Sequence, residues 1–167
     1  MCNGYASNFN WGLIHKIMKT QELKNTFNTN MASTYDSQRD KLAPIKDALH
    51  LCMRVLLSDL PSAARVLCVG AGTGSELIYL AQEFPEWHFT VVEPSSAMIE
   101  VCSQRTKELD IYSRCTFHEG YLDSLPGSEA FDVATSILVS HFIVNAEDRS
   151  KFFAEISSRL KNGSYMI

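Results

Sequence analysis

A chain of 167 residues, 46% hydrophobic and 20% charged, has the length and balance of one globular domain with a sizeable core. Its formal net charge of −4 gives no electrostatic footprint for non-specific nucleic-acid binding, and no apolar run approaches the roughly 20 residues needed to span a bilayer. The start, Met-Cys-Asn-Gly-Tyr, lacks the basic residues and apolar run of a signal peptide, so a cytoplasmic protein is expected.

In chain order, Trp11, Ile14, Ile17 and Met18 recur at helical spacing and predict a short amphipathic helix within Asn10 to Thr26. Asn25 to Ser37, rich in Asn, Thr and Ser, reads as a loop. A stronger helix follows, with Leu42, Ile45, Leu49, Cys52, Leu56 and Leu60 on one face, Pro44 near its start and Pro61 closing it. The five cysteines (Cys2, Cys52, Cys68, Cys102, Cys115) are odd in number and show no Cys-x-x-Cys spacing. Cys52, Cys68 and Cys102 fall inside apolar patterns, which predicts buried free thiols rather than a zinc site or disulfide framework.

Beyond Pro61 short apolar runs alternate with helical stretches. The expected strands are Arg65 to Val69, His88 to Val92, Arg114 to His118 and Phe131 to Leu138, with a fifth beginning at Tyr165-Met166-Ile167. The expected helices are Gly74 to Phe84, Ser95 to Leu109 with Ser95 or Ser96 as N-cap, and Glu147 to Leu160. In the last, Phe152, Phe153, Ile156 and Leu160 face inward and Lys161-Asn162-Gly163 is the stop. Such alternation predicts an α/β, doubly wound, Rossmann-like and mostly parallel sheet with helices on both faces. Its ligand crevice lies at the carboxyl ends of the strands.

Two features fall at those ends. Gly70, Gly72 and Gly74 alternate in V-G-A-G-T-G, and Glu93 ends the second strand. Glycine allows positive φ and close approach of a ligand to the backbone, and the following helix points free amides at the same place. A carboxylate beside the loop can accept hydrogen bonds from both hydroxyls of a ribose. Dinucleotide folds prefer G-x-G-x-x-G/A; counted from Gly70 the third position is Ser75, with Gly74 one place early, so that reading is weakened and stays open.

V-L-C-V-G-A-G-T-G, then V-V-E-P-S-S-A-M-I, then F-D-V-A-T-S-I-L-V-S-H-F-I resembles, in order, the class I S-adenosylmethionine-dependent methyltransferases. The resemblance covers roughly Phe27 to the C-terminus and implies S-adenosyl-L-methionine as cofactor, S-adenosyl-L-homocysteine as product, and no metal. By the family pattern, Gly70, Gly72 and Gly74 pass under the methionine part, Glu93 binds the ribose, and Met98 packs near the adenine. The segment M-A-S-T-Y-D-S-Q-R-D-K-L-A-P resembles a subgroup containing small-molecule methyltransferases and the carboxy-S-adenosylmethionine synthases of tRNA wobble-uridine modification. There Tyr35 and Arg39 would close over the cofactor, a guanidinium being suited to a bidentate grip on a carboxylate. Residues 1–40 are then an N-terminal helical or lid segment, to which Tyr5, Phe9, Trp11 and Phe27 contribute, and residues 41–167 the cofactor-binding domain.

The pattern departs from the family in two places. Tyr121 stands where many relatives have an aspartate for the adenine amino group, leaving the Leu122 amide and Asp123 for that end. Losing one such hydrogen bond costs about 1–3 kcal/mol. His141 matches a histidine at the mouth of the site and is the candidate general base; His118 has a weaker claim, and no catalytic dyad is visible. The chain also stops where strand five begins, so a truncated sheet is expected, with an exposed edge prone to pairing. The leading reading is methyl transfer to a small-molecule acceptor. Carboxy-S-adenosylmethionine synthesis, a catalytically inactive cofactor-binding homologue and an NAD-dependent oxidoreductase are the alternatives. Nucleic acid is not an expected partner, with transfer RNA and a homodimer left open.

Overall fold

The computed structural model describes residues 42–127 and 130–167. The expected helix over Asn10 to Thr26, the loop that follows it, the lid aromatics and the pair Tyr35 and Arg39 lie outside the described residues.

The first helix, α1 (Ala43–Leu57), leads to β1 (Arg65–Val69), α2 (Ser75–Glu83), β2 (His88–Glu93) and α3 (Ser96–Glu108). Then come β3 (Cys115–Glu119), β4 (Phe131–Thr135), α4 (Ala146–Ser158) and β5 (Leu160–Met166). The strands form one five-stranded sheet in the order β3-β2-β1-β4-β5, every pairing parallel. The expected Rossmann-like, doubly wound fold is the one observed. β1 is central, and its alternation separates two cores: Val66 and Cys68 join Met53, Leu77, Leu80 and Trp87 on one side, while Leu67 and Val69 join Phe131 and Ile156 on the other. A strand covered on both faces reads as a continuous apolar run for this reason. The chain changes direction across the sheet between β1 and β4, which puts the switch point beside the carboxyl end of β1.

Local chemistry explains the boundaries. Ser95 caps α3, its hydroxyl accepting from the Met98 amide at 3.3 Å. Asn145 caps α4 by accepting from the amides of Glu147 and Asp148 at 2.8 and 3.1 Å. Arg114, expected to open β3, instead donates to the carbonyls of Ala81, Phe84 and Trp87 at 2.9, 3.2 and 3.1 Å. It thereby satisfies carbonyls at and beyond the end of α2 that lack helical partners.

Three expectations are corrected. The buried face of α1 is His50, Met53 and Leu57, while Ile45, Cys52 and Leu56 are exposed. Apolar residues occur all round this helix, Leu51 and Val55 included, so their spacing does not fix its phase. β4 ends at Thr135 rather than Leu138, because Leu138 turns into the left-handed region at φ 56°. The fifth strand begins at Leu160, and Lys161-Asn162-Gly163 lies within it instead of stopping a helix. The register against β4 shifts between Phe131 and Val133, and Gly163 at φ 81° sits in that irregularity. Lys161 anchors the strand by donating to Asp132 Oδ1 at 2.6 Å.

Candidate functional site

The turn from β1 into α2 is built on backbone that only glycine adopts without strain, with φ of 68°, 55° and 81° at Gly70, Gly72 and Gly74. The three nevertheless face different surroundings. A β-carbon on Gly70 would meet Val139, one on Gly74 would strike the sulfur of Cys102, and one on Gly72 would stand in open space. Gly74 thus serves close packing of the turn on α3, while Gly72 leaves room for something outside the chain. Arg105 of α3 fixes the same turn from behind, donating to the Thr73 carbonyl at 3.0 Å.

Glu93 closes the other side. Its side chain is buried, with Oε2 accepting from the Gly72 amide and Oε1 from the Ser95 amide, both at 2.9 Å. Burial pushes its carboxyl above the usual range, and the two amides oppose that shift. Each oxygen keeps acceptor capacity beyond its one amide, so the group is both pre-oriented and able to take ligand hydroxyls.

These groups open into a cavity of about 650 Å³, in the range of small-molecule sites. One part is lined by Gly70, Gly72, Glu93, Ser95 and Met98, and an adjoining wall by Gly120, Tyr121, Leu122 and Asp123. A third wall is the turn after β4, with Ile137, Leu138, Val139, Phe142 and Ile143; α4 adds Asp148, Lys151, Phe152 and Glu155. Lys151 is itself paired with Glu147 at 3.0 Å.

The structure therefore brings together Gly70, Gly72, Glu93, Met98, Tyr121 and Leu122, with Asp123 beside them. Gly74 and His141 are not among the lining residues, and His141 packs its ring on Phe142 at 4.0 Å. His118 lies 2.9 Å from the Ser124 hydroxyl and is also outside the lining. Tyr35 and Arg39 lie outside the described residues. Sequence reasoning put the segment after β4 at the mouth of the site through His141, but missed Ser95, the apolar residues of that turn and the α4 residues as lining. The apolar turn follows from its place at a strand carboxyl end; nothing local marks Phe152 or Glu155.

It also missed Glu76. This first-turn residue of α2 is buried, and its carboxyl is pushed up to about 7, mainly by burial and further by Glu93, against the pull of its own backbone amide. Burial and Glu76 likewise raise the neighbouring thiols, Cys102 to about 12 and Cys68 well above its usual value. Neither thiol is a ready nucleophile. Among the described residues no group of three or more His, Cys, Asp or Glu could hold a metal ion, and no helix is long and apolar enough to cross a membrane.

Residues 66–163, more than half of the chain, match the family model described as a methyltransferase domain. The chain belongs to this methyltransferase family. The fold of the methyltransferase domain recurs in solved structures of low sequence identity. A Methanococcus maripaludis chain assigned as an S-adenosyl-L-methionine-dependent methyltransferase is 21% identical with a TM-score of 0.66, over 83% of this chain and 61% of that one. A Thiobacillus denitrificans methyltransferase in complex with S-adenosyl-L-homocysteine is 22% identical with a TM-score of 0.57, over 72% and 46%. The cyclase SpnF is 23% identical with a TM-score of 0.60, over 72% and 44%. The chain thus spans less than two thirds of the length of each. A search of curated proteins gives no match.

Proposed function

We propose that this methyltransferase domain binds S-adenosyl-L-methionine in the cavity and directs its methyl group to a small-molecule acceptor, leaving S-adenosyl-L-homocysteine. The observation that carries the reading is Glu93, a buried carboxylate held by the Gly72 and Ser95 amides at the edge of the cavity. Such a group suits the vicinal hydroxyls of a ribose. The empty space beside Gly72 supports it, because a side chain there would fill the ligand's place.

The cofactor, when bound, supplies a methyl group already activated on a sulfonium. The chain's own part is then to bind, align and exclude water, which can provide much of the rate without an acid–base pair. In this reading Gly70 and Gly72 let the backbone approach the amino-acid end, Glu93 holds the ribose, and Met98, Tyr121 and Leu122 enclose the adenine. Tyr35 and Arg39 cap the methionine end from the N-terminal segment, residues 1–40. No proton transfer is assigned to His141, whose ring packs on Phe142.

Isothermal titration with S-adenosyl-L-homocysteine tests the reading: saturable binding is expected, with NAD failing to compete. A preference for NAD would overturn it. The likeness in fold to a chain described as a [4+2]-cyclase favours a second reading, in which this fold serves a reaction other than methyl transfer. Binding without any release of S-adenosyl-L-homocysteine across a broad acceptor panel would select that one.

A further inference from the structure

The wall formed by Tyr121 to Leu125 follows β3 and is a single tight turn over Leu122–Ser124. It faces the cavity through Tyr121, Leu122 and Asp123, yet two anchors hold it from outside the lining. On one side the Ser124 hydroxyl donates to the Tyr121 carbonyl at 2.7 Å and meets His118 Nε2 at 2.9 Å. On the other side is Arg159, the residue that ends α4. Its Nη2 donates to the carbonyls of Leu122 and Leu125 at 3.0 and 3.1 Å. Nε and Nη2 also donate to Glu155 Oε1 at 3.0 and 2.9 Å, and the side chain is only 15% exposed.

We infer that Arg159 is a positioning residue for the part of the cavity that receives the purine base of a nucleoside ligand. It touches no ligand itself. Its backbone carbonyl accepts from the Phe131 amide at 2.9 Å, so the residue is fixed at the junction of α4 and β4. From that fixed point the guanidinium holds the turn carrying Leu122 and Asp123, and orients Glu155, which also lines the cavity. The planar fork is what the task requires. Two carbonyls and a carboxylate are satisfied at once by donors in a rigid plane, whereas an ammonium is a compact point charge on a flexible stem. Leu122 and Leu125 are buried against Phe131 and Ile156, so the guanidinium adds a polar anchor to the apolar contact between the turn and this face.

The inference rests on the cofactor reading above, and the two fail differently. Binding of S-adenosyl-L-homocysteine and of its inosine counterpart, in which a carbonyl replaces the adenine amino group, is measured by titration for the unaltered chain and for Arg159→Lys. The unaltered chain is expected to prefer the adenine form. Arg159→Lys is expected to bind it roughly tenfold more weakly, with most of the preference lost. Glu155→Gln keeps the guanidinium but loosens it, and is expected to move the preference the same way by a smaller factor; it serves if the arginine variant does not fold. An unchanged preference in a folded variant, or equal loss of both ligands, overturns the positioning role while leaving the cofactor reading intact. Failure of the unaltered chain to bind either ligand overturns both.

Discussion

Val139, in the turn after β4, lies over Gly70 so closely that a β-carbon on the glycine would come within 2.5 Å of its Cγ2. The two loops that frame the cavity are therefore packed on each other. Gly70→Ala is expected to destabilise the fold by about 1–3 kcal/mol through overpacking and a strained φ. Val139→Ala should restore part of that loss in the double variant, since the packing share resides in that one contact. Thermal melts of the two single variants and the double variant check this; full additivity would show that the contact does not matter. Gly72→Ala is the contrast. Its β-carbon meets no protein atom, so it should keep more stability while losing cofactor binding.

Replacing Glu93 separates its structural from its ligand-binding role. Glu93→Ala leaves the Gly72 and Ser95 amides without their acceptor, at a cost of about 1–3 kcal/mol for each one left unsatisfied. Glu93→Gln keeps one acceptor oxygen and should melt nearer to the unaltered chain. Both variants are expected to bind S-adenosyl-L-homocysteine at least about tenfold more weakly, since a hydrogen bond to a charged group contributes about 1.5–3 kcal/mol. Titration beside a melt distinguishes the two effects; binding by a folded Glu93→Gln at full strength would remove the carboxylate from the site.

Glu76 predicts a pH dependence with a definite sign. Its native carboxyl titrates near 7 against 4.5 for a free side chain, so the folded state holds the proton over that interval while the unfolded state releases it. Stability from this group is full below about pH 4.5 and falls as the pH rises to about 7, by roughly 2–4 kcal/mol. Glu76→Gln removes the titration. It should match the unaltered chain at pH 4.5 and melt higher than it at pH 8. A constant difference between the two across that range would show that Glu76 is not the group responsible.

Much of the site was legible because the fold forces chemistry to the carboxyl ends of its strands. The glycine run after β1 and Glu93 at the end of β2 could be placed without knowing any contact. What failed depended on contacts between distant elements. Gly74 and Gly72 look alike in sequence, and only Cys102 behind the one and open space behind the other separate their roles. The phase of α1 was unreadable because leucine and valine occur all round it. Lys161-Asn162-Gly163 has the composition of a helix stop, but the Lys161–Asp132 pair and the left-handed Gly163 use the same residues inside a strand. The part played by α4 follows from its packing on the Leu122 turn, and Arg159 records no such role in its own neighbourhood of sequence.

The cysteines give a prediction that depends on the corrected phase of α1. Cys52 is exposed, whereas Cys68 and Cys102 are fully buried and their thiols are pushed up by that burial. Alkylation proceeds through the thiolate and needs access, so both barriers act on the same two residues. With an iodoacetamide reagent at pH 8, peptide mapping should find Cys52 modified first among the four cysteines of the described residues. Cys115, half-buried and raised to about 11, should follow more slowly. Cys68 and Cys102 should become labelled only as the chain unfolds, at a rate that tracks added denaturant. Rapid native labelling of Cys102 would mean that α3 opens away from Gly74, and the packing assigned to that glycine would then be wrong.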